Sequence, residues 1–397
     1  MFWFWFWWAI RGLMIVADVA CWRIALRLAN RSLWRVLVNI FMGAQLAAHL
    51  SAMAGLDWPS HVPKAVLVAA MVWHYFTLGF GFAVLLPFGI VRVCARMARG
   101  RARVTRARRN RPVATPAREN SLTRREFIGA AAALAPPLFT IGLTGMALAQ
   151  LSHFRVRRFS LSIPSLPRAL DGITIAHVTD MHVGRLTCGR VLREMVNSTN
   201  ALRADLVLLT GDLINYELAD LTEAIALVKA MGGRYGQWMV EGNHDLLEDG
   251  GEFARRVKAA GVPLLLDESA VADVRGHPVQ LLGLRWMGDD DRVIALQLRE
   301  VLKRRQPDAF PILLAHHPHA FDAAVKADLP LTLAGHTHGG YLMLNSQLGV
   351  GPAMFRYWSG LYTRGRSQLI VSNGIGTWFP FRINAPAEIV HVTLRSG

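Results

Sequence analysis

The sequence predicts an α/β catalytic domain behind a set of membrane helices. Three observations carry that expectation. Charge-free apolar stretches crowd the first 150 residues, a dense run of arginines follows two of them, and from residue 173 short β-rich runs alternate with helix-like stretches. The last pattern is that of buried strands covered by helices.

A helix needs about 20 mostly apolar residues to cross a bilayer. Residues 36–56 and 65–91 contain no charged side chain, and residues 127–149 form a third candidate. Residues 2–22 open on an intensely aromatic run but are interrupted by Arg11 and Asp18. They either span or lie in the interface, where Trp and Phe are at home. Three to four transmembrane helices are therefore expected. His49 and His74 fall inside these spans with no carboxylate partner that the sequence identifies, and they read as packed or interfacial histidines.

The net charge of +16 suggests a nucleic-acid partner until it is located. Residues 1–153 hold 18 Lys/Arg against 4 Asp/Glu, whereas residues 154–397 hold 26 against 24. A nucleic-acid binder would carry the excess on its folded domain, so no nucleic acid is expected and the partner is the lipid bilayer. Arg23, Arg27, Arg31 and Arg35 precede the 36–56 span, and the 57–64 connection after it has only Lys64 as a cation. Residues 92–125 then carry 12 arginines against the single acid Glu119. Positive loops stay in the cytoplasm. Residues 1–91 thus form membrane helices, 92–126 a polybasic cytoplasmic linker, 127–150 an anchor leaving the cytoplasm, and 154–397 a domain on the far side.

Arg124-Arg125, with Phe127-Ile128 and an Ala-rich apolar run behind them, resemble a twin-arginine export signal. Ala147-Leu148-Ala149 fits a small-x-small cleavage site, so both an uncleaved anchor and a released domain remain open, the anchor being preferred. Cys21, Cys94 and Cys188 are too few and too scattered for a disulfide framework.

In the C-terminal half, strands are expected at 173–178, 205–209, 237–240, 310–314 and 331–334, and helices at about 189–203, 218–231 and 252–260. What stands at the strand ends is more informative. Asp180-Met181-His182 follows the first run, Gly211-Asp212 the second, and Gly242-Asn243-His244-Asp245 the third. His316-His317-Pro318 and Gly335-His336-Thr337-His338-Gly339-Gly340 follow the last two. Taken singly, each is an ordinary turn or helix cap. Five in succession, each ending an apolar run in carboxylate, amide or imidazole, suit divalent Mn, Fe, Zn or a similar ion without any thiolate.

This series resembles the calcineurin-like metallophosphoesterase superfamily over about residues 171–395. The Gly-Gly after His338 and the closing Ser372-Asn373-Gly374-Ile375-Gly376 look like its bacterial branch with N-terminal membrane or twin-arginine segments. Tyr341 departs from that branch, which often has glutamine there. The resemblance implies a four-layer α-β-β-α sandwich with two metals at one edge; together with the arginine distribution it gives a multi-pass protein of the bacterial inner membrane whose catalytic domain is expected to face the periplasm. Asp180, His182 and His338 would bind one ion, Asn243, His316 and His336 the other, and Asp212 would bridge them. His244 would stay off the metals, oriented by Asp245, and His317 is the weaker candidate of its pair.

Two divalent ions about 3.5–4 Å apart can hold a bridging water and supply hydroxide near neutral pH. The alkoxide leaving group needs a proton, and imidazole, with an unperturbed pKa near 6.5, can give one; His244 fits that task. The expected activity is hydrolysis of a phosphodiester, pyrophosphate or phosphomonoester, with a membrane lipid as one candidate substrate. A general nucleotide phosphodiesterase and a catalytically inactive membrane sensor or scaffold are the alternatives. Asp289-Asp290-Asp291 reads as a solvated acidic loop, Phe355, Tyr357 and Trp358 as packing, and Trp378 to Phe381 as an apolar cluster able to touch the bilayer if exposed.

Overall fold

The computed structural model describes residues 2–29, 31–53, 63–79, 81, 123–151, 153–379 and 381–397. Most of the 92–126 linker, residues 82–91 of the expected 65–91 span and Pro380 of the aromatic cluster lie outside the described residues. Two units emerge, residues 1–146 and 147–397.

The first unit contains α1 (Phe2–Leu28), α2 (Ser32–Met53), α3 (Lys64–Val72) and most of α4 (Arg124–Gln150). Among the described residues two helices are long and apolar enough to cross a membrane, Ser32–Ser51 and Glu126–Gln150, where three to four were expected. Helix α1 is continuous over 27 residues, but Arg11, Asp18, Arg23 and Arg27 dilute its apolar character. A π turn, Trp73–Thr77, follows α3.

The reading of His74 is corrected. Asp18, fully buried, accepts a hydrogen bond from Trp73 Nε1 at 2.7 Å and stands 3.0 Å from His74 Nε2. The His49 ring stacks on that of His74 at 4.6 Å, with its own Nε2 3.1 Å from the Arg11 carbonyl. A residue 56 positions away supplies the carboxylate partner.

The second unit is a mixed α/β domain of two sheets. Its elements are β1 (Arg155–Ile163), β2 (Thr174–Val178), α5 (Arg190–Ala201), β3 (Leu206–Thr210), α6 (Leu221–Ala230), β4 (Gln237–Val240) and α7 (Gly250–Ala259). Next come β5 (Glu268–Val274), β6 (His277–Gly283), α8 (Asp291–Leu302), β7 (Phe310–Leu314), α9 (Ala320–Lys326) and β8 (Leu331–Ala334). The chain closes with the short helix α10 (Val350–Met354), β9 (Gly360–Arg364), β10 (Ser367–Val371) and β11 (Glu388–Ser396). One sheet runs β1-β11-β2-β3-β4 and the other β5-β6-β7-β8-β10-β9.

Strand periodicity decides the layering, because successive side chains point to opposite faces. Ile175, Leu206 and Leu208 pack with Leu281, Ile312, Leu333 and Ile370 between the sheets. Their neighbours Ala176, Val178, Val207 and Leu209 turn outward against Leu192 and Met195 of α5 and Phe253 of α7. On the far side Leu313, Leu369 and Val371 meet Ile294 and Leu298 of α8 and Phe321 of α9. Strands buried on both faces read as continuous apolar runs, which is why β3 (LVLLT) and β7 (FPILL) were visible in the sequence.

Parallel pairings of β2 with β3, β3 with β4 and β7 with β8 direct the C-terminal ends of each set the same way. The loops leaving those ends carry every candidate ligand.

Candidate metal centre

Asp180 and His182 leave β2, Asp212 leaves β3, Asn243 leaves β4, His316 leaves β7, and His336 and His338 leave β8. Ligand atoms of Asp180, His182, Asp212 and His338, all buried, lie within 4.8 Å of one another, and so do those of Asp212, His316 and His336. Asp212 belongs to both groups. Its Oδ2 stands 3.4 Å from His182 Nε2 on one side and 3.2 Å from His316 Nε2 on the other. Asn243 Oδ1 joins the second group, 2.9 Å from His336 Nδ1 and 3.2 Å from His316 Nε2.

The donor set suits cations. His182 Nε2 faces His338 Nε2 at 3.1 Å, and His336 Nδ1 faces His316 Nε2 at 3.1 Å. Imidazole nitrogens aimed at one another and at carboxylates converge on a point where a positive ion satisfies all of them. His316 Nδ1 donates to the Thr210 carbonyl at 2.6 Å, a bond that holds the ring and leaves Nε2 as the atom facing the other donors.

Electrostatics in the metal-free centre follow from burial and the crowding of charge. Burial lifts the Asp180 carboxyl to about 6, with the Asp212 charge adding to the rise and His316 opposing it. Burial disfavours the charged form of His316, yet Asp212 beside it raises the imidazole to about 9. Asp212 is correspondingly held well below the usual carboxylate range: burial opposes its ionisation, and His316 outweighs that. His336 is pushed down to about 3, chiefly by burial and then by His316.

The local backbone is unusual. Asp180, His182, Asp212, His336 and His338 all have φ between +43° and +73°, a left-handed conformation costing about 1–3 kcal/mol for a non-glycine residue. Cross-loop bonds hold it in place: Asp180 N donates to Gly211 O at 3.0 Å and His182 N to Asp212 O at 3.0 Å. Gly242 permits a close approach of two loops, since a Cβ there would collide with the Asp212 carboxylate and amide.

His244 sits beside the ligands. Its backbone N–H donates to Asp212 Oδ1 at 2.8 Å, and its ring lies 4.5 Å from that of His182. The orienting contact expected from Asp245 is not the one found. Asp245 accepts from the amides of Leu213, Ile214 and Gly242, while His244 Nδ1 is fixed by the Asn215 carbonyl at 2.6 Å. A carboxylate that gathers three amides positions the loops; the carbonyl positions the imidazole.

Two residues escaped the sequence reading. Trp286 lies over His336 and His317 at ring distances of 5.0 and 5.6 Å, walling the second ligand group. Arg382, fully buried, donates to His338 Nδ1 at 2.9 Å and to the Asn373 carbonyl. Neither stands in a motif, and only the tertiary fold brings it to the site. His317 is buried but belongs to neither ligand group, and Tyr341 packs on His338 at 4.7 Å.

Residues 173–340 match the family described as calcineurin-like phosphoesterase. The uncharacterized metallophosphoesterase YkuE of Bacillus subtilis is 30% identical over 291 residues, covering 69% of this chain and 98% of that one. The chain belongs to the calcineurin-like phosphoesterases. An uncharacterized metallophosphoesterase of Campylobacter jejuni is 28% identical over 250 residues, 60% of this chain and 63% of the relative. A Danio rerio protein named transmembrane protein with metallophosphoesterase domain is 26% identical over 248 residues, 60% and 56% of the two chains. This chain therefore spans less than two thirds of the length of the last two relatives.

Proposed function

We propose that the chain is a membrane-anchored phosphoesterase working with two divalent metal ions. The observation that carries this reading is the carboxylate of Asp212, shared between two donor groups that are buried except for the half-buried His336. Asp180, His182 and His338 would hold one ion and Asn243, His316 and His336 the other, with Asp212 placed to serve both. Mn, Fe and Zn all accept this oxygen and nitrogen set. When bound, such a pair supplies Lewis acidity at the phosphoryl oxygens and lowers the pKa of water enough for hydroxide to form near neutral pH.

The chain's own side chains do the rest. His244 Nδ1–H donates to the Asn215 carbonyl, which leaves Nε2 as the ring atom able to hand a proton to the leaving oxygen. Asp245 holds the loops of Asp212 and Gly242 in register through three amides. Trp286 and Tyr341 exclude water from the flanks of the two ligand groups. Two apolar helices and the relatives named as transmembrane proteins support membrane attachment.

The test is metal-dependent hydrolysis of bis-(p-nitrophenyl) phosphate by the purified chain. His244→Asn should keep both ions and lose turnover by roughly 100-fold or more, the usual scale of general-acid catalysis. Asp212→Asn should lower the metal content itself. Full turnover in the His244 variant removes that residue from the mechanism. Bound metal with no turnover in the native chain would make this a binding scaffold instead.

A further inference from the structure

Within the second unit, Gln150 and His338 share one partner, Arg382. Gln150 ends α4, and its Oε1 accepts the backbone N–H of Arg382 at 3.1 Å. The guanidinium of the same Arg382 donates to His338. The segment around Arg382 is stitched to residues 341–344: Ile383 N donates to Tyr341 O at 2.7 Å, Met343 N to Ile383 O at 3.0 Å, and Asn384 Nδ2 to Met343 O at 2.9 Å.

These joined segments expose apolar side chains. Leu344 is 76% exposed, Met354 69%, Leu348 57% and Trp378 43%. Single exposed leucines are ordinary; here four large apolar groups sit on two short connected segments that border the ligands. Trp378 also lies 5.8 Å from the His244 ring. Tyr216 and Met287, on loops beside Asn215 and Trp286, are more than half exposed as well. Apolar groups clustered on connected segments mark a contact with something apolar, and Gln150, the last residue of α4, bonds to one of these segments at Arg382.

Resting on the phosphoesterase reading above, we infer that the substrate is an amphiphilic phosphoester drawn from the bilayer. Its phosphate reaches the metal centre while its hydrocarbon chain lies across Leu344, Leu348, Met354 and Trp378. In the reaction one water is consumed, a P–O ester bond breaks, and the leaving oxygen takes a proton, giving an alcohol and a phosphate with one ester fewer. Acyl or prenyl chains meet the apolar requirement equally.

The full chain in detergent micelles can be assayed with two diesters releasing the same chromophore, ethyl p-nitrophenyl phosphate and hexadecyl p-nitrophenyl phosphate. The native protein should show a kcat/KM for the hexadecyl diester at least roughly tenfold above that for the ethyl one, as expected from burying one or two apolar contacts. The combined variant Leu344→Ser, Leu348→Ser, Met354→Ser should erase the preference while leaving ethyl diester turnover and metal content unchanged. Because these side chains are solvent-exposed, the ethyl diester also reports whether the variant has folded. Equal kcat/KM values in the native protein, or a preference surviving the triple variant, would overturn the inference and leave these segments as a contact with the bilayer alone. Hydrolysis of neither diester by the metal-loaded chain would overturn the phosphoesterase reading and this inference with it.

Discussion

As a proposed ligand, His316 would give up a proton to an incoming metal ion. Its imidazole in the metal-free protein is raised to about 9 by Asp212, against the effect of burial, so at pH 7.5 it is protonated. Asp180, at about 6, is ionised at that pH, and burial keeps His336 neutral. A cation needs the bare Nε2 of His316, so loading should release about one proton at pH 7.5. Release should approach zero above pH 10 and climb toward two below pH 6, where Asp180 also carries a proton. Calorimetric titration of the metal-free chain in buffers of different ionisation enthalpy reads this directly, and no release at pH 7.5 would refute it. Gly242 offers a steric test at the same scale. Gly242→Ala places a methyl against the Asp212 carboxylate and should cut the content from two ions to fewer than one. Gly232→Ala, with open space around the new methyl, should leave it intact.

The elements that could be read in the sequence are those whose periodicity is local. β3 and β7, buried on both faces, announce themselves as unbroken apolar runs, and the ligands stand where those runs stop. Helices α5, α6 and α7 fall within a few residues of the expected 189–203, 218–231 and 252–260. What the sequence hides is pairing at a distance. β11 pairs with β1 across more than 200 residues, and Arg382 and Trp286 reach the ligands from loops with no motif of their own. The left-handed backbone at Asp180 or His336 is equally invisible, since the hydrogen bonds that accompany it run to other loops. The same blindness concealed Asp18 beside Trp73 and His74. Asp18→Leu would leave the indole N–H and the imidazole Nε2 without that acceptor, at a cost of about 1–3 kcal/mol. A lower thermal midpoint for the detergent-solubilised variant, with bis-(p-nitrophenyl) phosphate turnover kept below that midpoint, is the expected result. An unchanged midpoint would mean the triad adds nothing to helix packing.

At the scale of the whole molecule the open matter is which side of the membrane each half faces, and the chain carries its own reporters. Twelve arginines in 92–125 favour the cytoplasm for that stretch, and one apolar helix, Glu126–Gln150, separates it from the catalytic unit. Cys94 lies in the basic stretch, whereas Cys188 is exposed on the catalytic unit. In intact spheroplasts a membrane-impermeant maleimide should therefore label Cys188 at once and Cys94 only after permeabilisation. The reverse pattern would place the metal centre in the cytoplasm, with nucleotide-linked lipid precursors then in reach. The paired arginines can be tested in the same assay. Arg124→Lys with Arg125→Lys keeps the charge that orients the helix and removes only the guanidinium pair. Loss of Cys188 labelling in that variant would identify the pair as an export signal, because the electrostatic bias of the loop is unaltered; retained labelling would show that charge alone directs the domain across.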